Sequence, residues 1–436
     1  MSTKIFTTAV LAVFAATSAF ADTYEITQWG EKIAPDSEIV NPFYDNPTAE
    51  SKDLGGNTYV IKIAGATAEN PFELKDSDGT TGSRLTFAKE GSLIIDGCYV
   101  ARRVGNGANN DGLIIRDGSS LTITGGGGDG VNFWNGGVSV GENANSGAKL
   151  VSTASTMLFK VGGTVVVNGE LSSTYKSFAS NKFAYAVTNI TFNAGAKMNS
   201  VSGAGFTTYD YNSDWKNPQT ITVNAGVEQG ALAVAGVFNF AGKTTVNFNS
   251  SNAFSTDGNT QAKSTFTLVS YNKLYNGEIR ADKTKYPNAA ADVVFNSTAN
   301  NSFGQIQFWT DSTLTLNLDA KSFMAFGEFV MDSDASGSLC TVIVNNLSDS
   351  SKTFFISDKI YEAIDYGTVI LKDSNGNELS YIATKASDED FAMTGLDSEL
   401  GGGYWLAVNS VVPEPATYAA LFGLFALGFV LYRRRR

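Results

Sequence analysis

Ile190-Thr-Phe-Asn193-Ala-Gly195 and Ile221-Thr-Val-Asn224-Ala-Gly226 are the same sentence written twice. Apolar residues alternate with Thr, and each run closes on Asn, Ala and Gly. Alternation with a period of two is the pattern of a strand with one buried face. Asn and Gly tolerate the left-handed backbone of a tight corner.

The unit recurs on both sides. Toward the N-terminus stand Ser92-Leu-Ile-Ile-Asp96-Gly97, Leu113-Ile-Ile-Arg-Asp117-Gly118, Val138-Ser-Val-Gly141 and Val165-Val-Val-Asn168-Gly169. Toward the C-terminus stand Val246-Asn-Phe-Asn249, Phe266-Thr-Leu-Val-Ser-Tyr-Asn272, Val293-Val-Phe-Asn296, Leu314-Thr-Leu-Asn-Leu318, Val342-Ile-Val-Asn345 and Val369-Ile-Leu-Lys-Asp373. Taking Asn317 as the corner of its copy, corners run from 96 to 373 in steps of 21 to 31 residues, about 25 on average. A period of that length made of strands, with no helical pattern, predicts a solenoid. The expected fold is all-β: a right-handed parallel β-helix of roughly 25-residue coils over 91–375. The alternative is a set of tandem antiparallel β-sandwiches, which strands with regular turn signals also fit. The pattern is similar to the β-solenoid passengers of autotransporter-type surface proteins.

Residues 22–90 read as an N-terminal cap and first strands, with Tyr59-Val-Ile-Lys-Ile63 and Leu85-Thr-Phe87 as strands. Residues 376–410 read as a C-terminal cap, needed because an open solenoid end exposes unpaired strand edges. Tyr404-Trp-Leu-Ala-Val408 is its last strand, and Ser387-Asp-Glu-Asp390 reads as a solvated loop.

The 436 residues include 44 Gly but 8 Pro, a turn vocabulary without the Pro content of a disordered chain. The formal charge is −12. An acidic surface repels nucleic acid and suits an extracellular particle. Histidine is absent, which removes Ser-His-Asp and Cys-His catalysis and His-ligated zinc. Cys98 and Cys340 stand near ten coils apart, about 45 Å along the axis. A disulfide needs Cα atoms within about 7 Å, so both are expected as small buried free thiols.

The two ends speak about location. Lys4, the apolar run Ile5 to Phe14 and the small-x-small site Ala19-Phe20-Ala21 form a cleavable signal peptide over 1–21, with the mature chain starting at Asp22. At the other end Val-Val-Pro-Glu-Pro (411–415) precedes an uncharged, mostly apolar run, Ala416 to Tyr432, and then Arg433, Arg434, Arg435 and Arg436. Seventeen residues of helix span about 25 Å, the low end for a hydrocarbon core, and four arginines stay in the cytoplasm. Pro413 and Pro415 disfavour helix and hold the motif extended. Segment 411–436 resembles the PEP-CTERM sorting signal of bacterial envelope proteins. That resemblance implies recognition of Pro413, Glu414 and Pro415 by a membrane-embedded exosortase-type processing enzyme. It further implies an inner-membrane precursor with a transmembrane helix over 416–432, and then a place at the cell surface or in the extracellular matrix, with extracellular polysaccharide as a partner.

Within the body the chemical candidates are sparse. Asp76-Ser-Asp78-Gly79 starts like a calcium loop but has Phe87 where an EF-hand needs Glu, and Asp332-Ser-Asp334 reads as a turn likewise. Gly125 to Gly128 with Asp129-Gly130 lacks the Lys-Ser/Thr pair of a phosphate cradle. Asp96 and Asp117, as equivalent corners of adjacent coils, would lie about 5 Å apart beside Arg116, Arg102 and Arg103. That is the arrangement of a β-helical polysaccharide lyase or hydrolase, for which paired carboxylates are required. Trp134, Trp215 and Trp309 are candidates for stacking on sugars, the signature of a carbohydrate-binding module. Asn189-Ile-Thr191 and Asn296-Ser-Thr298 match glycosylation sequons but read as strand Thr and turn Asn. The expectation is a structural or adhesive exported protein that is not an enzyme, with no catalytic residue, no cofactor and no metal.

Overall fold

The computed structural model describes residues 22–44, 56–67, 69–73, 92–101, 113–123, 131–133, 138–143, 146–152, 156–159, 164–173, 182–185, 189–200, 206–208, 219–224, 237–241, 243–251, 253, 265–269, 291–309, 312–331, 339–349 and 352–409. The signal-peptide site Ala19 and Ala21, the sorting motif Pro413 to Pro415, segment 416–432 and the four terminal arginines lie outside the described residues. So do Leu85–Phe87, Asp76, Asp78, Arg102, Arg103, Gly125 to Gly130, Trp134, Trp215, Asp332 and Asp334. No helix among the described residues is long and apolar enough to cross a membrane.

The described chain is mostly strand and winds through three sheets. The first sheet holds thirteen strands, from Thr23–Ile26 to Val369–Lys372, and every neighbouring pair is parallel. The second holds six parallel strands, from Phe72–Glu73 to Lys197–Ser200. The third holds eleven, starting at Val131–Phe133, parallel up to Phe354–Ser357 and then antiparallel. One coil reads Val138–Val140 in the first sheet, Lys149–Ser152 in the second and Thr156–Phe159 in the third. The next strand, Thr164–Val167, returns to the first sheet. That is the connectivity of a β-solenoid, and it rules out tandem antiparallel sandwiches. Twelve steps of about 4.8 Å give the first sheet a length of roughly 58 Å.

The register explains why the coils hold together. Ile26, Ile61, Ile95, Ile115, Val140, Val167, Phe192, Val223 and Phe248 stack as one inward row, all at 0% exposure. Each such side chain gains about 1.5–3 kcal/mol from burial, but only when a neighbouring coil covers it. Val100, Leu121, Leu150 and Leu171 form the matching row of the second sheet. The last strand of that sheet is Lys197–Ser200. Beyond it the described coils alternate between the first and third sheets, and phenylalanine fills the space between. Phe303 stacks on Phe326 at 5.0 Å and meets Phe248, Phe266 and Phe295 at 5.2 Å each. Strands Asn301–Phe308 and Met324–Met331 pair on both sides of Gly304 and Gly327. There a Cβ on Gly327 would lie 2.4 Å from the Gly304 carbonyl oxygen, so the two backbones approach as only glycine permits.

Three expectations about the repeat are corrected. The strand holding Phe266 is Thr265–Val269 of the third sheet, so that copy is not a rung of the first sheet, and Asn272 lies outside the described residues. The rung after Asn247 is Asn296, 49 residues on, well beyond the expected maximum of 31. The corners, read above as one series from 96 to 373, also fall into more than one column. Phe248 pairs with Ser297, which puts Asn296 level with Asn247 instead of Asn249. A shift of two residues keeps every inward side chain inward, whereas a shift of one would turn the strand inside out.

Both ends are plugged. At the start, Ile33 and Phe43 pack under the first rung, with Phe43 edge-on to Tyr59 at 5.5 Å and Trp29 edge-on to Phe72 at 5.6 Å. At the finish, the chain turns back on strand Val369–Lys372, where the Leu379 amide donates to the Leu371 carbonyl at 2.9 Å. Helix α1 (Asp358–Asp365) buries Ile360 against the core. Strand Gly403–Val408 lies antiparallel between Phe354–Ser357 and Tyr381–Lys385, so Tyr404–Val408 lies in the last strand among the described residues, as expected. Ser387–Asp390 is not a loop but the capped start of helix α2 (Asp388–Thr394). Ser387 and Asp390 form a reciprocal capping box there. Phe323, Ala325, Phe355, Leu396, Leu400 and Trp405 make a second small core under this cap.

Cys98 and Cys340 are both free and buried, and burial pushes the Cys340 thiol up to about 12. Neither should react with iodoacetamide in the native protein, and both should react once it is denatured. Labelling of the native chain, read by intact mass, would contradict the burial. Phe303→Ala should cost about 3–5 kcal/mol in urea melts, as loss of a fully packed ring does.

Candidate functional site

The outward side chains of the first sheet carry the most ordered polar structure among the described residues. Asn193 donates through Nδ2 to Asn168 Oδ1 (3.0 Å), Asn224 to Asn193 (2.8 Å) and Asn249 to Asn224 (3.1 Å). The ladder starts where Asn168 Nδ2 donates to the Gly141 carbonyl (2.8 Å) and ends where the Thr298 hydroxyl donates to Asn249 Oδ1 (3.3 Å). A second ladder runs two residues to one side. Asn247 Nδ2 donates to Thr222 Oγ1 (3.2 Å), Asn296 to Asn247 (2.7 Å), Asn317 to Asn296 (2.6 Å) and Asn345 to Asn317 (2.7 Å). The two ladders run side by side over three coils, at Thr222 with Asn224, Asn247 with Asn249 and Asn296 with Thr298.

This arrangement follows from the register. Parallel pairing sets like residues about 4.8 Å apart. An amide carries donor and acceptor on one planar group, so a column of Asn can satisfy itself. Each bond contributes about 0.5–1.5 kcal/mol net, and a chain of them polarises cooperatively. All the amides point one way, donating toward the earlier coil. The terminal Asn345 Oδ1 is buried without a hydrogen-bond partner. Each remaining amide keeps a second N–H that its ladder partner does not use.

The carboxylate pair expected from Asp96 and Asp117 does not form. Ile95 pairs with Ile115, so Asp96 is level with Arg116, and Asp117 stands one residue beyond. The Asp117 carboxylate accepts from the Asn143 side chain (2.6 Å) and from the backbone amides of Glu142 (2.8 Å) and Asn143 (3.3 Å). The Asn143 side chain first, and then the Glu142 amide, hold its carboxyl below the usual range. A carboxylate kept ionised and spent on the next coil's turn is a staple, the opposite of a general acid with a raised pKa. Half-buried Arg116 has its Nε buried with no hydrogen-bond partner. Trp309 is half-buried at the end of its third-sheet strand. Asn296, read as a turn residue, sits inside strand Asp292–Ser297 with its amide in the ladder, and Asn189 opens strand Asn189–Phe192. Among the described residues no group of three His, Cys, Asp or Glu side chains is placed to hold a metal ion.

The ladders themselves were missed, because each Asn reads locally as a corner. The available signal was its recurrence one place after an inward apolar residue in strand after strand. No protein-family model matches the chain, and no curated protein or solved structure does either.

Asn296→Ala and Asn317→Ala should each destabilise by about 1–2 kcal/mol, by leaving a neighbouring amide half-satisfied. The double variant should cost less than the sum, because the two changes remove one shared bond. Urea denaturation of all four proteins tests this, and strict additivity would refute a continuous ladder.

Proposed function

We propose that the chain is an exported bacterial envelope protein whose solenoid body is structural or adhesive and not enzymatic. It reaches its place through a C-terminal sorting signal at Pro413-Glu414-Pro415. The observation that carries this reading is the order of the last 26 residues: motif, uncharged run 416–432, then Arg433 to Arg436. In this reading 416–432 is a transmembrane helix, the arginines stay cytoplasmic, and an exosortase-type enzyme processes the motif. The signal peptide ending at Ala21 sets the same orientation. The coils wind right-handed, the hand that parallel crossovers overwhelmingly take. Extracellular polysaccharide is the partner, and nucleic acid is not.

The end of the body supports this order of parts. The Val408 amide donates to the Ser348 carbonyl at 3.0 Å, and the Asn409 amide to Ser380 at 3.2 Å. The chain is thus fastened to its cap up to Asn409, and the sorting motif begins at Pro413. Processing at that motif would release a body whose last strand is already locked in place.

Deleting 413–436 should send the body to the periplasm or medium without C-terminal processing. Fractionation and mass spectrometry of the C-terminus check this. Unchanged localisation together with unchanged processing would sink the sorting reading.

A further inference from the structure

We propose that the outward face of the first sheet, from strand Asn189–Phe192 to strand Cys340–Asn345, binds a long, neutral, extended β-linked glycan laid along the solenoid axis. The proposal deepens the export reading only by naming what the body would meet outside. The binding itself is measurable whether or not that reading stands.

The charge pattern comes first. The chain has 43 acidic and 31 basic residues. Yet across the six strands of this face the only charged outward side chains are Lys243 and Asp292, which are direct cross-strand neighbours. The rest are Thr and Asn, apart from Val294 and Ile343, and all are at least partly exposed. The face changes character along the rod. In the first rungs the same row holds Val60 and Ile94, which are buried. From Thr191 onward it holds Thr222, Asn247, Asn296, Asn317 and Asn345. An anionic polymer would be repelled by a chain of net charge −12, and the one cation on the face, Lys243, stands level with the anion Asp292. A protein partner would need a contiguous apolar or aromatic centre to bury, which Val294 and Ile343, separated by the Thr315 rung, do not make. A neutral polyhydroxyl chain matches a face of hydroxyls and amides.

Geometry is the second observation. Rungs repeat at about 4.8 Å and outward rows on one strand lie about 7 Å apart. Successive sugars of an extended chain therefore meet successive rungs. The ladder bonds hold the Asn side chains in one orientation before any ligand arrives, so little rotamer freedom is left to lose. Their spare N–H groups and the Thr220, Thr245 and Thr315 hydroxyls are available in registered rows. Each hydrogen bond exchanges with water and is weak alone. Affinity must then come from many rungs engaged at once, which selects long chains over short ones.

The test uses the full-length chain in a zwitterionic detergent. It should co-sediment with amorphous cellulose, little changed by high salt, and a long soluble neutral β-glucan should compete. A disaccharide and a polyuronate of equal mass should not. The variant Thr220→Lys/Thr245→Lys/Thr315→Lys should lose at least tenfold in binding. The single Thr315→Lys, which disturbs the sheet least, should lose severalfold. Thr384→Lys, on an exposed strand of the C-terminal cap, should bind like the parent. Circular dichroism confirms that each variant is folded. Failure of the parent to bind would overturn the proposal. So would equal binding by the lysine variants, binding of the polyuronate alone, or a self-association that the same lysines abolish.

Discussion

Every coil of this protein must come back to the first sheet with an inward residue above an inward residue. That single requirement governs what the rest of the chain is free to do. The residues between rungs can vary from 21 to 49 along the second ladder, because extra residues at the corners cost little closure entropy. What cannot vary is parity. When the polar column passes from Asn249 to Thr298 and a new column grows from Asn247 to Asn296, the offset is two. Phe248, Phe295 and Leu316 stay inside throughout.

The asparagine columns answer a problem that the same stacking creates. Repetition places identical side chains about 4.8 Å apart, a distance at which like charges repel and a side-chain amide can bond from rung to rung. Asn meets that need with separate donor and acceptor groups on a short side chain. Within the rod the apolar answer is stacked phenylalanine, with Phe303 parallel to Phe326 at 13°. The inner and outer columns therefore follow one logic, like on like, with dispersion on one side of the backbone and amide hydrogen bonds on the other. A directional column has unequal ends. The Gly141 carbonyl and the Thr298 hydroxyl finish the first, while the second stops at Asn345 Oδ1.

Much of the first sheet was legible because its strands alternate strongly and end in Asn or Asp. The second sheet was not read strand by strand. Lys149–Ser152 and Glu170–Ser173 each bury one leucine on the core row, and the neighbours, Val151 in one and Ser172 in the other, do not make a period-two pattern. Their signal was positional: a charged residue and then Leu, shortly after the corner glycine, in Gly147-Ala-Lys-Leu150 and Gly169-Glu-Leu171. Phe266-Thr-Leu shows the converse failure. Alternation identifies a strand but does not say which wall of the coil it joins. Asp96 and Asp117 were aligned by their shared Asp-Gly dipeptide, whereas the structure aligns Ile95 with Ile115, because burial outweighs turn chemistry in setting register. The ladders needed the third dimension. A hydrogen bond between Asn193 and Asn224 spans 31 residues and leaves no mark within either coil.

The ends of the rod decide where its contacts with other molecules fall. A solenoid with open ends grows by strand addition. Here Ile33 and Phe43 close the first coil, and α1, the chain folded back on Leu371 and the antiparallel strand Gly403–Val408 close the last. With both ends occupied by the chain's own residues, the sides remain. The first sheet is the longest of the three, and its outer columns are already held by hydrogen bonds before anything binds. Locking those amides is a folding requirement, since half-satisfied side chains would weaken every rung. A rigid, regularly spaced hydrogen-bonding surface is therefore a by-product of stability.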